Sequence, residues 1–206
     1  ILGANNLTLG ASSSVSGTPS SSNMIITNST GVLRKMFSSA GSFTFPVGTA
    51  GAYTPATVNF TSGTFGSGAY LDVLVVASKH ASNNSGTDYL KRYWSFNQNS
   101  ITNFTYNINL QYISPTDVNG TEANIYAGKW DGSVWQLYAQ ANTTTHQLSG
   151  TGATVFSTFT GGSQGAMPVI LASELTTGPE SAKASVAWSV FAKGLKVILG
   201  LHLCGN

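Results

Sequence analysis

Residues 104–112 constrain the fold more than any other stretch. Phe104, Tyr106, Ile108, Leu110 and Tyr112 alternate with Thr105, Asn107, Asn109 and Gln111. Successive side chains of a strand point to opposite faces, so a period of two marks a half-buried β-strand. Such a strand needs a second layer over its apolar face, and the sequence supplies further strands. Phe43 and Phe45 alternate with Ser42 and Thr44, and Ala56, Val58 and Phe60 repeat the pattern. Tyr70 to Ala77 is an apolar run interrupted at Asp72 and reads as a central strand. Leu90 to Phe96 carries Tyr93, Trp94 and Phe96. Pro46 cannot donate to a sheet ladder and ends a strand or lies on an edge. Gly63, Gly66 and Gly68 punctuate a bend, and ASNNSGTD at 81–88 reads as an exposed loop. Asn124 to Tyr138 reads as a hairpin turning at Asp131-Gly132, a pair suited to tight turns.

Composition agrees with an all-β chain. Charged residues make up 8% of the 206 residues, about a third of the usual share. Ser, Thr, Asn and Gly keep the chain soluble and supply its turns. Hydrophobic residues are 41% and the net charge is +2, which is no disordered composition. Nine Lys and Arg spread along the chain form no basic stripe, so nucleic acid is not an expected partner. Cys204 is the single cysteine and excludes an internal disulfide. The absence of a bridge suits a bacterial exported chain or a cytosolic one, and the hydroxyl-rich composition points to export. No run of about 18 apolar residues signals a membrane-spanning helix. The start at Ile1, without Met or a charged leader, reads as a processed form or an excerpt.

Four segments follow. Residues 1–37 read as short solenoid-like β rungs, with an ordinary meander of edge strands as the alternative. Residues 38–168 read as an antiparallel β-sandwich, and 169–185, with Pro179, as a linker. In 186–206, Val186, Trp188 and Val190 alternate, then Leu195, Val197, Leu199, Leu201 and Leu203, the signature of a small β-hairpin unit.

Catalytic signals are scarce. His80, His146 and His202 stand apart, with no H-x-x-x-H spacing, and no G-x-S-x-G elbow occurs. Of the seven carboxylates only Asp72 has an unusual setting, with Lys79, Lys91 or Arg92 as candidate partners. Asp117, Asn119 and Glu122 could offer oxygens to calcium, but their spacing misses the D-x-[DN]-x-[DN]-G pattern. The reading is no enzyme, no metal site and no cofactor. The seven N-x-[ST] sequons suit chance in an Asn- and Thr-rich chain. Aromatics are the better lead. Trp130, Trp135 and Tyr138 cluster on one hairpin, and such rings stack on sugar faces. The competing reading places Trp94 and Trp135 in the sandwich core.

The order NNLTLGASSSVSGTPSSSNMIITNSTGVLRKMF, FTFPVG, YTPATVNF, YLKRYWSF and ANIYAGKWDGSVWQ resembles modules of large secreted surface proteins of Bacteroidetes. The tail VAWSVFAKGLKVIL resembles the opening strands of a type IX secretion sorting domain, while LGLHLCGN departs from that pattern. The resemblance implies β-helix rungs before the sandwich and an extracellular or cell-surface location. It also implies type IX export machinery as a partner and a structural or adhesin role. A carbohydrate-binding module contacting a surface glycan is the alternative, as is the non-catalytic part of a polysaccharide-degrading enzyme.

Overall fold

The computed structural model describes residues 1–167. The expected linker over 169–185 and hairpin unit over 186–206 lie outside the described residues. The described chain is all-β, as the alternation requires. In chain order the strands are β1 (Leu7–Leu9), β2 (Ile25–Ile26), β3 (Leu33–Met36), β4 (Gly41–Phe45), β5 (Val47–Thr49) and β6 (Ala52–Tyr53). They continue with β7 (Ala56–Val76), β8 (Tyr89–Gln111), β9 (Val118–Asn119), β10 (Ile125–Trp130), β11 (Trp135–Gln140), β12 (Gln147–Ala153) and β13 (Thr158–Ser163).

Two strands organise the rest. β7 has 21 residues and β8 has 23, against about 5–6 for an ordinary strand. Each joins two runs that the sequence reads as separate strands. The bend expected at Gly63–Gly68 is a corner inside β7. The β7–β8 register shifts between Phe60 and Ser62, Ser62 and Thr64, and Phe65 and Tyr70. Gly68 takes φ +73°, and in the same part of β8 Ser100 and Asn103 take φ 56° and 49°. Bulges bend a strand without ending its ladder, so the hairpin turns from one sheet direction into another.

Before the corner β7 pairs with β4, and the facing half of β8 pairs with β12. Beyond it β7 pairs with β3, and β8 pairs with β13, which leads to β10 and β11. The core lies between these halves. Val58, Phe60, Tyr106, Ile108 and Leu110 join Leu71, Val73, Val75, Trp94 and Phe96 in one buried cluster. Phe156 stacks on Tyr106 with centroids 4.0 Å apart and meets Phe60 edge-on at 5.6 Å.

The amino-terminal strands join this body in parallel. β1 lies parallel to β3 with Leu7 opposite Leu33, and β2 parallel to β5 with Ile25 opposite Val47. Two asparagines tie adjacent segments: Asn6 Oδ1 accepts from the Val32 N–H and Asn28 Oδ1 from the Gly3 N–H, both at 3.0 Å. β3 is also a member of the large sheet, whereas β2, β5 and β6 form a sheet of three strands. Within FTFPVG, β4 belongs to the large sheet and β5 to the small one, with Pro46 at the change. Lys35 fixes the first loop. Its buried Nζ donates to the carbonyls of Gly10, Ala11 and Met36 at 2.8, 2.7 and 2.9 Å.

Candidate functional site

The groups able to do chemistry come first. Asp72 pairs with Arg34, directly opposite on β3, through Nε–Oδ1 and Nη2–Oδ2 contacts of 2.7 and 2.8 Å. The Arg34 guanidinium also lies 3.5 Å from the Tyr70 ring centroid. Lys79, Lys91 and Arg92, the partners expected for Asp72, are not used. Arg92 instead holds Asp117 bidentately, at 2.8 and 3.0 Å, with both side chains buried. Its third contact is Thr49 Oγ1 at 3.0 Å.

Glu122 accepts from Tyr112 Oη at 2.5 Å, Ser114 Oγ at 2.8 Å and bonds His146 Nδ1 at 2.8 Å. Asp88 accepts from the Thr121 N–H and Asn124 Nδ2, and Asp131 from the Ser133 and Val134 N–H groups. All five carboxylates of the described residues are thus committed to internal donors. The carboxylates of the expected calcium trio are held apart by other partners, Asp117 by Arg92 and Glu122 by Tyr112, Ser114 and His146. Among the described residues no three His, Cys, Asp or Glu side chains group as metal ligands.

The Glu122 network carries a pH dependence. Burial pushes its carboxyl up, but the bonds from Tyr112, His146 and Ser114 outweigh it and hold the group below its ordinary 4.5. A carboxyl lowered in the folded state stabilises above its unfolded value and loses that contribution as pH falls through the folded one. The loss therefore begins near pH 4.5 and continues below it. Urea midpoints between pH 6 and 3 should fall less steeply in Glu122→Gln than in the wild type.

The aromatic hairpin forms as expected, but it does not present its three rings together. Trp130 and Trp135 are cross-strand partners with centroids 5.2 Å apart. Trp135 is buried over Gly128, where a Cβ would meet its ring at 3.1 Å, and its Nε1 donates to the Ser82 carbonyl at 3.0 Å. Tyr138 departs from the expected platform. Tyr138 lies three residues after Trp135 on β11, so the alternation of the strand puts it on the opposite, inner face, where it packs at 6.0 Å from Phe159. Its hydroxyl is buried without a partner, and burial pushes its pKa up to about 12. Of the three rings expected to bind, Trp130 alone is both half-exposed and outside the core.

Alternation misses one neighbour of Trp130, His80. His80 and Tyr93 stand edge-on at 5.2 Å, and His80 also lies 5.2 Å from Trp135 and 6.3 Å from Trp130. The Ser82 N–H donates to His80 Nδ1 at 3.2 Å, which leaves the proton of the neutral ring on Nε2. Burial lowers the His80 pKa and favours that neutral form. The loop is pinned by Asn83 Nδ2 to the Gly161 carbonyl at 3.0 Å, and by Ser85 Oγ, which accepts from the Ser163 N–H at 2.8 Å. Period two along β8 does place Tyr93 and Ser95 opposite buried Trp94, but nothing in ASNNSGTD reveals that the loop folds back beside them.

A cavity of about 230 Å³ lies at the other end of the sheet, lined by Phe96, Phe104, Phe156, Val155, Asn97 and Gln98. No ionisable side chain lines it. Comparison with protein-family models, curated proteins and solved structures finds no match to this chain.

Proposed function

We propose that this chain is a non-catalytic structural module of a secreted or cell-surface protein of adhesin type, exported by type IX machinery. One observation carries the structural part. Ile1, Leu7 and Val15, three of the four large exposed apolar side chains of the described residues, all belong to the segment around β1. In that segment β1 already pairs in parallel with β3, and the opposing Leu33 is fully buried. An unpaired strand edge with apolar side chains is a template for another strand. A further parallel rung of the parent polypeptide, laid against β1, would cover both. The committed carboxylates support the non-catalytic part, and the Bacteroidetes-like motif order supports the export route.

Antibody against residues 1–167, applied to intact cells carrying the parent gene, tests the export reading. Surface labelling should depend on a working type IX system. Labelling that persists without that system, or a wholly cytoplasmic protein, contradicts it.

A further inference from the structure

We propose that the outer face of the large sheet carries a binding strip for an uncharged oligosaccharide, with Trp130 as its stacking ring. One cross-strand row defines it: Leu74 opposite Ser95, Ser95 opposite Thr158, and Thr158 opposite Trp130. All four are half-buried, on the side of the sheet away from Trp94, Phe96 and Phe159. Neighbouring strands lie about 4.8 Å apart, so two spacings separate Ser95 from Trp130 and leave a sugar ring room above Thr158. Tyr93 and His80 stand at one flank of this row.

Unclaimed polar groups single the strip out. Trp94 Nε1 donates to the Thr54 carbonyl and Trp135 Nε1 to that of Ser82. The Trp130 indole, the Ser95, Thr158 and Tyr93 hydroxyls and His80 Nε2 make no hydrogen bond within the described residues. Three hydroxyls and a donor-ready imidazole thus surround one half-buried indole. A pyranose has the same make-up: an apolar C–H face for the ring, and hydroxyls for its surroundings.

Most charges near the row are paired or turned away, Lys91, exposed beyond Tyr93 on the same face of β8, being the exception. Arg34 and Asp72 neutralise each other at one end. At the other, Asp131 Oδ1 is turned back onto Ser133 and Val134. Lys79 of the covering loop donates to the Ser85 carbonyl at 2.6 Å and lies over the Tyr89 ring. Floor hydroxyls in place of apolar side chains favour a sugar over a protein surface.

The inference stands apart from the proposed function, which rests on the β1 edge, so either can fail alone. The test is an array of cello-, xylo-, manno-, chito- and malto-oligosaccharides with heparin fragments as charged controls, probed with the wild-type chain, Trp130→Ala and Ser95→Tyr. Ser95→Tyr lays a bulky ring on the floor from an outward position and decides the matter if Trp130→Ala fails to fold. At least one uncharged oligosaccharide should bind, and each variant that keeps the wild-type melting temperature should bind it at least tenfold more weakly. No binding, preference for the charged controls, or binding that both folded variants retain overturns the proposal.

Discussion

Asp117→Ala should lower the unfolding free energy by about 3–5 kcal/mol, the usual loss when one partner of a buried ion pair is removed. The size follows from what is left behind. Arg92 keeps its contact to Thr49 Oγ1 but loses both bonds to the carboxylate, inside a site where neither side chain reaches water. The Ile113 N–H loses its bond to Asp117 Oδ2 as well. In the wild type Asp117 thus fastens the loop after β8 both to its own first turn, through Ile113, and to Arg92 near the start of that strand. Arg92→Met combined with Asp117→Leu removes the stranded charge and should recover part of the deficit. Urea unfolding of the two variants decides between a stranded charge and lost packing. A double variant no better than Asp117→Ala would point to packing.

Trp94→Ala should cost about 3–5 kcal/mol, as for other fully buried large aromatics, whereas Trp130→Ala should stay within about 1 kcal/mol. The two rings flank the same sheet on opposite sides. Trp94 is wholly buried and its indole satisfies the Thr54 carbonyl, so truncation opens a cavity and orphans an acceptor. Trp130 is half-exposed and its indole bonds nothing among the described residues. Chemical unfolding of both variants measures the contrast. Equal losses would mean that Trp130 is a core residue and would remove its reason to bind.

Period two makes most of the fold readable, because alternation reports a buried face directly. It finds the strand content of β4, β7, β8 and β10, and the Asp131-Gly132 turn. It does not reveal that four expected runs are two strands. A glycine-rich bend can leave a sheet or bulge within it, and only the partner strand decides which. Asp72 shows the same limit. Its pairing with Arg34 is a register fact, 38 residues away in sequence, and local charges could not disclose it. For the candidate site, residue type pointed to the aromatic hairpin. The spacing of its rings held more than residue type used: Trp135 and Tyr138 are an odd number of residues apart on one strand, so period two already puts Tyr138 on the other face, where it packs on Phe159.

The edge of β1 offers the most direct test of the structural reading. The Leu7 N–H donates to the Val32 carbonyl, so the Thr8 N–H points away from β3. Hydrogen exchange at Thr8 should be compared between the chain alone and the intact parent protein. The account predicts rapid exchange in the chain alone and strong protection in the parent, where a further rung covers the edge. Rapid exchange in both would contradict it.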